Sequence, residues 1–441
     1  MTKTSVSGIL VALLCVLALA SCGNAPTLTV SSDTIGYSNA KTTITWLPQE
    51  GLDSPNKPVA DYLAATTKAW VMKHPDVKIV VAAQGNQIQD AMAKMLVQAA
   101  AGNAPDIASV DSFILPSFWD VLQPVDDILQ AKKIPLDSWF PFAQQLMKPK
   151  DKILAMWYDT DVRMFYYQKA LIKVPPKNWD ELFAVAKEMK GKGYVPFLYP
   201  AGRNETTSCD VLPWFWSQGG KLVDDAGNPV FYDGANKTAM LNVFNFMKKT
   251  ITTGITPTRV TTYTTDGDMN TEIASGKVAM FLGGSWLVKQ LYDIMGEQKF
   301  RDTWELAPIP MEAGGARTTT SGGWTVGVFS KDDAKRKLAA DLGITIYVDD
   351  QGNAGYAKAS GNLPARKTVF EQADFLKNDP IAQKFKDELT YATVRPGVRI
   401  YNVISTDLQV AISDTITGRA SPEKTLETAW NDSVSQAKTQ K

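Results

Sequence analysis

Histidine is scarce in this chain of 441 residues: the sequence has one, His74. A single imidazole excludes any mechanism or metal site that needs two histidines. One acidic stretch, Asp266 to Asn270, faintly resembles a calcium loop. It lacks the required glycine and glutamate, because Thr271 and Lys277 stand at those positions. We therefore predict neither a bound metal nor a cofactor.

An excess of charge of one sign is also missing. The 46 basic residues balance the 46 acidic ones, which argues against nucleic acid as a partner. Beyond the first twenty residues there is no apolar run of eighteen, the length needed to cross a bilayer as a helix. Neither the phosphate-binding loop pattern nor the hydrolase nucleophile elbow occurs. A binding protein is thus expected rather than an enzyme.

The longest apolar run, Ile9 to Ala20, lies close to the first residue and follows Lys3. Its length suits the core of a signal peptide and is too short for a membrane span. It ends in Leu-Ala-Ser-Cys22, which resembles the bacterial lipobox. The resemblance implies a signal peptide over residues 1–21 and a lipid on Cys22, which would anchor the protein to the outer (periplasmic or extracellular) face of the cell membrane. An ordinary signal peptide or an uncleaved anchor are the alternatives.

Residues 22–41 are polar and lack apolar periodicity. This composition predicts a lipidated, flexible tether. Cys15 leaves with the signal peptide, so Cys209 has no partner for an intrachain disulfide and is expected to pack as a small apolar side chain. The remaining part of about 400 residues is too long for one compact core, and two domains are expected.

The pattern of periodicity predicts an α/β protein. Strands predicted at 42–46, 77–82 and 106–110 alternate with amphipathic helices at 58–73 and 88–101. This β-α-β-α-β order favours a mainly parallel sheet covered by helices. A second α/β set begins near Ile153 and includes an aromatic helix at Val211 to Gln218. Strands are also predicted at Trp304 to Ile309 and Gly323 to Phe329, joined by a loop rich in Gly and Thr.

The order of motifs resembles the family-1 extracellular solute-binding proteins, the family of maltose-binding protein. Nearly the whole chain after the tether takes part, and Gln168 is one departure, because the family usually has Asn there. The motifs are Ala91-Met-Ala-Lys-Met-Leu with Ala-Pro-Asp106-Ile, Trp157-Tyr-Asp159-Thr-Asp161-Val-Arg163, Pro175-Pro-Lys-Asn-Trp179-Asp-Glu-Leu, Ile273-Ala-Ser-Gly-Lys-Val-Ala-Met280 with Gly-Ser-Trp286, Ser321-Gly-Gly-Trp324, and Arg395-Pro-Gly-Val-Arg-Ile-Tyr401.

The resemblance implies a two-lobed periplasmic-binding-protein fold of type II, with mixed, mainly parallel sheets flanked by helices and a ligand cleft at the hinge. Lobe one would hold residues 42–163 and 316–364, and lobe two residues 164–315 and 365–441. The implied function is to capture a small carbohydrate by hinge closure and to deliver it to the permease of an ABC importer. A monomer is expected.

Candidate ligand-binding residues are aromatic and planar polar side chains just past strand ends, because sugars stack on aromatic faces and hydrogen-bond to planar groups. Asp161, Trp286, Gly323, Trp324, Arg395 and Tyr401 follow from the resemblance. The full set is Trp46, Gln84, Asn86, Asp111, Asp159, Asp161, Arg163, Trp214, Trp286, Gly323, Trp324, Arg395 and Tyr401.

Several alternatives remain open from the sequence. Asp159 and Asp161 alternate with Arg163 along one extended segment, so the three share a face and either bind ligand or form a hinge salt bridge. The alternative interpretation of Asp111 is a cap of the next helix, and that of Trp214 is a core position. The alternative ligand within the same class of protein is a polyamine or a glycerol phosphate. A secreted glycosidase using Asp159 and Asp161, or an adhesin or receptor with the same fold, is the remaining alternative.

Overall fold

The computed structural model describes residues 26–82 and 88–439. Its strands are β1 (Leu28–Val30), β2 (Thr34–Tyr37), β3 (Thr42–Leu47), β4 (Val77–Val81), β5 (Ile107–Asp111), β6 (Ala155–Trp157), β7 (Asp159–Gln168), β8 (Val195–Leu198), β9 (Val278–Gly284), β10 (Trp304–Ala307), β11 (Thr319–Gly322), β12 (Trp324–Val328), β13 (Leu363–Pro364) and β14 (Ala392–Val394).

The α-helices are α1 (Lys57–Lys73), α2 (Ile88–Ala100), α3 (Asp126–Ala131), α4 (Pro141–Met147), α5 (Trp179–Gly191), α6 (Glu205–Trp216), α7 (Gly234–Thr252), α8 (Asn270–Ala274), α9 (Leu287–Met295), α10 (Glu297–Thr303), α11 (Asp333–Gly343), α12 (Asp350–Ser360), α13 (Lys367–Gln372), α14 (Asp374–Lys377), α15 (Pro380–Leu389), α16 (Tyr401–Ile416) and α17 (Pro422–Thr439). Among the described residues, none of these helices is both long and apolar enough to span a membrane.

The first sheet has the strand order β1-β2-β4-β3-β5-β12-β6. Its centre is the predicted β-α-β-α-β unit, in which β3 lies parallel to both β4 and β5. The chain returns to this sheet much later through β12, which pairs antiparallel with β5 and β6. The first sheet and its helices form lobe one.

The second sheet has the order β14-β11-β7-β9-β8, and β10 and β13 also pair with β7. β8 lies parallel to β9 and β11 lies parallel to β14, whereas the pairs that involve β7 are antiparallel. Both sheets are therefore mixed, as expected. Antiparallel pairs nevertheless outnumber parallel ones among the described strands, because β7 and β12 enter their sheets from the opposite lobe rather than through a βαβ crossover.

Three segments connect the lobes. The chain crosses at Tyr158, between β6 and β7, and crosses back at Gly323, between β11 and β12. The third segment contains β13, in which Leu363 pairs with Thr160 of β7. The chain thus passes between the sheets at residues 158 and 323, whereas the predicted lobe boundaries were 163 and 316. The difference arises because all of β7 and all of β11 belong to the second sheet.

The predicted tether is wrong for the part of it that the structure describes. Residues 28–37 form the hairpin β1–β2, and β2 extends the first sheet by pairing with β4. The side chain of Ser31 accepts a hydrogen bond from the backbone N–H of Thr34 in the turn, and Ile35 is fully buried. Turn-forming residues between two β-branched stretches explain both the polar composition and the hairpin. Cys22 lies outside the described residues.

Candidate functional site

A cavity of about 440 Å³ lies between the lobes, beside the three crossing segments. This volume is within the range of small-molecule sites. Side chains from both lobes line it. They are Gln49, Glu50, Asn56, Asp111, Phe113, Asp159, Thr160, Asp161, Arg163, Asn204, Glu205, Thr206, Cys209, Thr265, Asp266, Gly267, Trp286, Lys289, Gln290, Asp293, Gly323, Trp324, Ser360, Asn362 and Arg395.

Two tryptophans supply flat apolar surface to this cavity. Trp286 precedes α9 in lobe two and is partly exposed, and its ring folds back over Gly284, where a Cβ would lie 2.3 Å from a ring carbon. Trp324 begins β12 in lobe one and is almost completely buried. An aromatic wall from each lobe suits a ring-shaped ligand with C–H faces.

Asp159 joins the three crossing segments. Its Oδ1 accepts the backbone N–H of Trp324 at 2.7 Å, and its Oδ2 accepts the side-chain amide of Asn362 at 2.7 Å. Burial raises the pKa of Asp159 well above its usual range, although these two hydrogen bonds act in the other direction. Gly323 has φ of 132°, and a Cβ there would lie 2.2 Å from the carbonyl oxygen of Asp159. Only glycine allows so close a crossing.

Arg163 is buried at the cavity wall of lobe two. Its guanidinium binds the carboxylate of Asp161, donates from Nε to Oδ1 of Asp210 at 3.0 Å, and lies 4.5 Å from the ring centre of Trp286. Asp266 lies behind it and accepts the backbone N–H of Gly284 at 3.3 Å. Burial, and the nearby carboxylate of Asp210, raise the pKa of Asp266. Burial also raises the pKa of Asp210. The predicted contact of Asp161 with Arg163 is therefore present, and both residues also line the cavity.

Arg395 connects acids of the two lobes. Its Nη2 lies 3.4 Å from Oδ1 of Asp111 in lobe one, and its Nη1 donates to Oε1 of Glu205 in lobe two at 3.0 Å. Nη2 also donates to the hydroxyl of Ser112 at 3.2 Å. Burial raises the pKa of Asp111 to about 6, and Arg395 limits that rise. Asp111 accepts the backbone N–H of Phe113 within a turn. It does not cap the helix that follows, as the alternative interpretation predicted, because that 3₁₀ helix, Leu115–Phe118, has Ile114 at its N-cap and no side-chain cap.

Eight of the predicted site residues therefore meet at one cavity: Asp111, Asp159, Asp161, Arg163, Trp286, Gly323, Trp324 and Arg395. Gln84 and Asn86 lie outside the described residues. Cys209 also lines the cavity wall. Its side chain is buried, and burial raises the pKa of its thiol to about 12, which keeps it in the unreactive protonated form.

Trp46 was predicted in the cleft and lies in the core instead. β3 alternates, so Ile44 and Trp46 share its buried face, and both are at most 1% exposed. The indole ring contacts Tyr347 edge to face, with ring centres 6.1 Å apart. Alternation along this strand places Trp46 beneath the sheet rather than at its end.

Trp214 and Tyr401 do not line the cavity either, and both are buried. Trp214 is in the core of lobe two, against Tyr199 and Phe246, and its Nε1 donates to the carbonyl of Pro310 at 3.1 Å. Tyr401 is fully buried, and its hydroxyl donates to Glu205 at 2.6 Å. Tyr401 thus supports a cavity residue without lining the cavity.

The sequence interpretation missed Glu50, Glu205, Asp266 and Asn362. Glu50 comes three residues after the end of β3, and Glu205 begins the first helix after β8. The rule that predicted Asp111, a polar residue past the carboxyl end of a strand, also applies to these two glutamates. Asp266 and Asn362 carry no such signal, because the fold brings them to the cavity from a short 3₁₀ helix and from the third crossing segment.

A family model described as "Bacterial extracellular solute-binding protein" matches residues 62–384. A Deinococcus radiodurans protein named "Probable ABC transporter-binding protein" is 26% identical over 433 residues, which cover 93% of this chain and 94% of that protein.

The solved structures that resemble this chain share its two-lobed architecture. The maltose-bound MalE3 of T. maritima has a TM-score of 0.76 at 22% identity, over 89% of this chain and 99% of that one. A solute-binding protein of an ABC transporter from Thermotoga lettingae, bound with α-D-tagatose, has a TM-score of 0.73 at 20% identity, over 90% and 99% of the two chains. At these identities the likeness shows the fold, which is the predicted type II periplasmic-binding-protein fold.

Proposed function

Because the chain belongs to the bacterial extracellular solute-binding proteins, we propose that it captures a mono- or oligosaccharide between its lobes and delivers it to the permease of an ABC importer. The observation that carries this proposal is the interlobe cavity, with Trp286 and Trp324 on opposite lobes and carboxylate and amide groups around them. Stacking surfaces combined with planar hydrogen-bonding groups are what a pyranose requires.

The crossing segments support a hinge mechanism. Three of them pass beside the cavity, and Asp159 joins them by hydrogen bonds. Rotation of one lobe against the other about these segments would close the cavity and remove most of the ligand surface from water. The closed form then differs from the open one in shape, and a permease responds to that difference.

The similar solved structures support a sugar as the ligand. MalE3 of T. maritima is bound to maltose, and the Thermotoga lettingae protein is bound to α-D-tagatose. The acids that a glycosidase would use have other partners in this chain, since Asp159 accepts two hydrogen bonds and Asp161 binds Arg163. Sugar binding is therefore favoured over sugar cleavage.

The proposal includes the location of the protein. The lipobox-like segment supports a lipid on Cys22 and anchorage to the outer face of the cell membrane. The protein is proposed to act there as a monomer beside the permease. In cell fractionation, the wild-type protein should remain with the membranes and the Cys22→Ala variant should not. A membrane-bound Cys22→Ala protein would contradict the lipid on Cys22.

A panel of sugars tests the ligand class. Neutral mono- and oligosaccharides, a polyamine and glycerol phosphate are titrated into the purified protein, while calorimetric heat and intrinsic tryptophan fluorescence are recorded. We expect saturable binding of at least one sugar, with a fluorescence change from Trp286 and Trp324. Tight binding of the polyamine or of glycerol phosphate without any sugar response would overturn the proposal.

A further inference from the structure

We propose that the captured carbohydrate carries a protonated amine and that Glu50 binds this ammonium group. The inference rests on the proposed function and names the class of sugar within it. It comes from an asymmetry of the cavity among the described residues: a partly exposed lining carboxylate has no basic partner, whereas every lining base has an acidic partner.

Acids outnumber bases in the cavity lining. The described lining contains seven carboxylate side chains and three basic ones. The acids are Glu50, Asp111, Asp159, Asp161, Glu205, Asp266 and Asp293, and the bases are Arg163, Lys289 and Arg395. Burial disfavours the charged forms of Asp159 and Asp266, yet without these two the acids still outnumber the bases, so the cavity attracts cations and repels anions.

Each of the three bases already has acidic partners. Arg163 binds Asp161 and Asp210, Arg395 binds Asp111 and Glu205, and Lys289 binds Asp293 on the next turn of α9. A ligand carboxylate or phosphate would have to displace one of these partners and leave it without compensation. Anionic sugars and glycerol phosphate therefore suit this cavity poorly.

Three lining acids form no salt bridge with a described residue: Glu50, Asp159 and Asp266. Glu50 differs from the other two because it is partly exposed, whereas Asp159 and Asp266 are buried, and their burial raises their pKa and disfavours the charged form. The Oε2 of Glu50 accepts the hydroxyl of Ser54 at 2.6 Å and its Oε1 accepts the side-chain amide of Asn56 at 3.3 Å. Both donors are neutral, and Glu50 forms no salt bridge with any described residue. The two hydrogen bonds fix the orientation of the carboxylate, and its charge is left for a ligand. A preoriented carboxylate loses little entropy when it binds an ammonium group.

The position of Arg163 indicates where the amine lies relative to the rings. Its guanidinium occupies one face of Trp286 at 4.5 Å. That face of the ring is therefore closed to an ammonium group. Stacking of the uncharged part of the sugar on the remaining surface of Trp286, with the amine directed to Glu50 in lobe one, makes contact with both lobes.

Matched sugars test the inference. Cellobiose, chitobiose (the diamine) and diacetylchitobiose carry hydroxyl, ammonium and acetamide groups at the same positions, and glucose, glucosamine and N-acetylglucosamine form the corresponding monosaccharide series. Calorimetry at a pH that keeps the amines protonated should give roughly tenfold or greater preference for the amine over its neutral counterparts in at least one series. The amine's affinity should also fall as salt is raised.

The variant Glu50→Gln keeps the shape of the side chain and removes its charge. We expect it to lower the affinity ratio of amine to hydroxyl sugar by roughly tenfold. Asp53→Asn is the matched control, because Asp53 is an exposed carboxylate of the same loop that does not line the cavity. It should leave the ratio unchanged. Circular dichroism melting of both variants confirms that they are folded.

The outcomes are separable. Equal or tighter binding of the neutral sugars, or an unchanged ratio in folded Glu50→Gln, overturns the amine inference and leaves sugar capture standing. Failure of every sugar in the extended panel, neutral and amine alike, overturns the proposed function itself. Tight binding of a simple polyamine without binding of any sugar overturns both the amine inference and sugar capture, since the sugar ring would then contribute nothing to binding.

Discussion

The carboxylate of Asp159 accepts the backbone N–H of Trp324 across the hinge, with 2.7 Å between oxygen and nitrogen. Asp159 begins β7 of lobe two and Trp324 begins β12 of lobe one, so the bond joins the first crossing segment to the second. The other oxygen of Asp159 binds Asn362 of the third segment. A single buried acid thus sets the mutual positions of the hinge segments and of a cavity tryptophan.

The Asp159→Asn variant tests this role. Both carboxylate oxygens accept hydrogen bonds, whereas an amide has one acceptor and would turn its NH₂ group towards another donor. We expect a loss of about 1–3 kcal/mol in the free energy of unfolding, measured by urea denaturation. Asp61→Asn, which removes an exposed acid paired with Lys57, should change it by less than about 0.5 kcal/mol. Equal stability of both variants would show that Asp159 does not hold the hinge together.

Arg395 should matter far more than the nearby Arg399. Arg395→Gln leaves the buried acids Asp111 and Glu205 without compensation, and we expect a loss of about 3–5 kcal/mol in the free energy of unfolding. Arg399 pairs with Asp120 at the surface, so Arg399→Gln should cost about 0–1 kcal/mol. Denaturant titrations of the two variants under one buffer provide the comparison. A similar loss for both would mean that the connection between the lobes through Arg395 contributes little.

The buried acids predict an unusual dependence of stability on pH. Asp111 has a pKa of about 6 in the folded chain, above the ordinary value of an aspartate, so it takes up a proton on folding. This contribution to stability is complete below a pH of about 4 and is lost as the pH rises to about 6. The pKa values of Asp159 and Asp266 are also raised and act in the same direction.

The unliganded protein should therefore be more stable at pH 5 than at pH 7.5, and Asp111→Asn should reduce that difference. Urea denaturation at both pH values checks this. Stability that increases from pH 5 to pH 7.5 would contradict the raised pKa values.

Trp286 is the better of the two cavity tryptophans for mutation, because it is only partly buried. Trp286→Ala should weaken sugar binding by about 1–3 kcal/mol and remove part of the fluorescence response. Trp430→Ala is the control, because Trp430 is also partly buried but stacks on Tyr232, away from the cavity lining. Calorimetry with the tightest sugar of the panel gives the affinities. An unchanged affinity in folded Trp286→Ala would remove Trp286 from the binding surface.

The sequence predicted the architecture well where periodicity and motif order agree. The predicted strands at 42–46 and 77–82 and the helix at 88–101 lie within one residue of β3, β4 and α2. The prediction failed where the same residue pattern is typical of two different structures. Residues 28–37 are polar enough for a tether, yet the turn at Ser31 and the buried Ile35 make them a hairpin.

The site was predictable only in part, because its geometry depends on contacts distant in sequence. Trp324 and Asp161 could be placed near the cleft by resemblance. Motif order did not decide whether Trp46 and Trp214 lie in the cleft or in the core, since an aromatic residue suits either place. For Trp46, the alternation of the strand does decide between core and cleft, because Trp46 shares its face with the buried Ile44. No local signal indicates that Glu50 has no basic partner among the described residues, because that follows from the tertiary positions of the three cavity bases.

The hairpin β1–β2 limits how far the globule could lie from the lipid proposed on Cys22. Leu28 is already held in the first sheet, so only residues 23–27 separate it from Cys22. Five residues extend to at most about 18 Å. If Cys22 carries the proposed lipid, this short link would keep lobe one close to the bilayer. Closure of the proposed hinge would then bring lobe two towards a lobe that stays near the membrane, and the permease would meet that change of shape at the membrane surface.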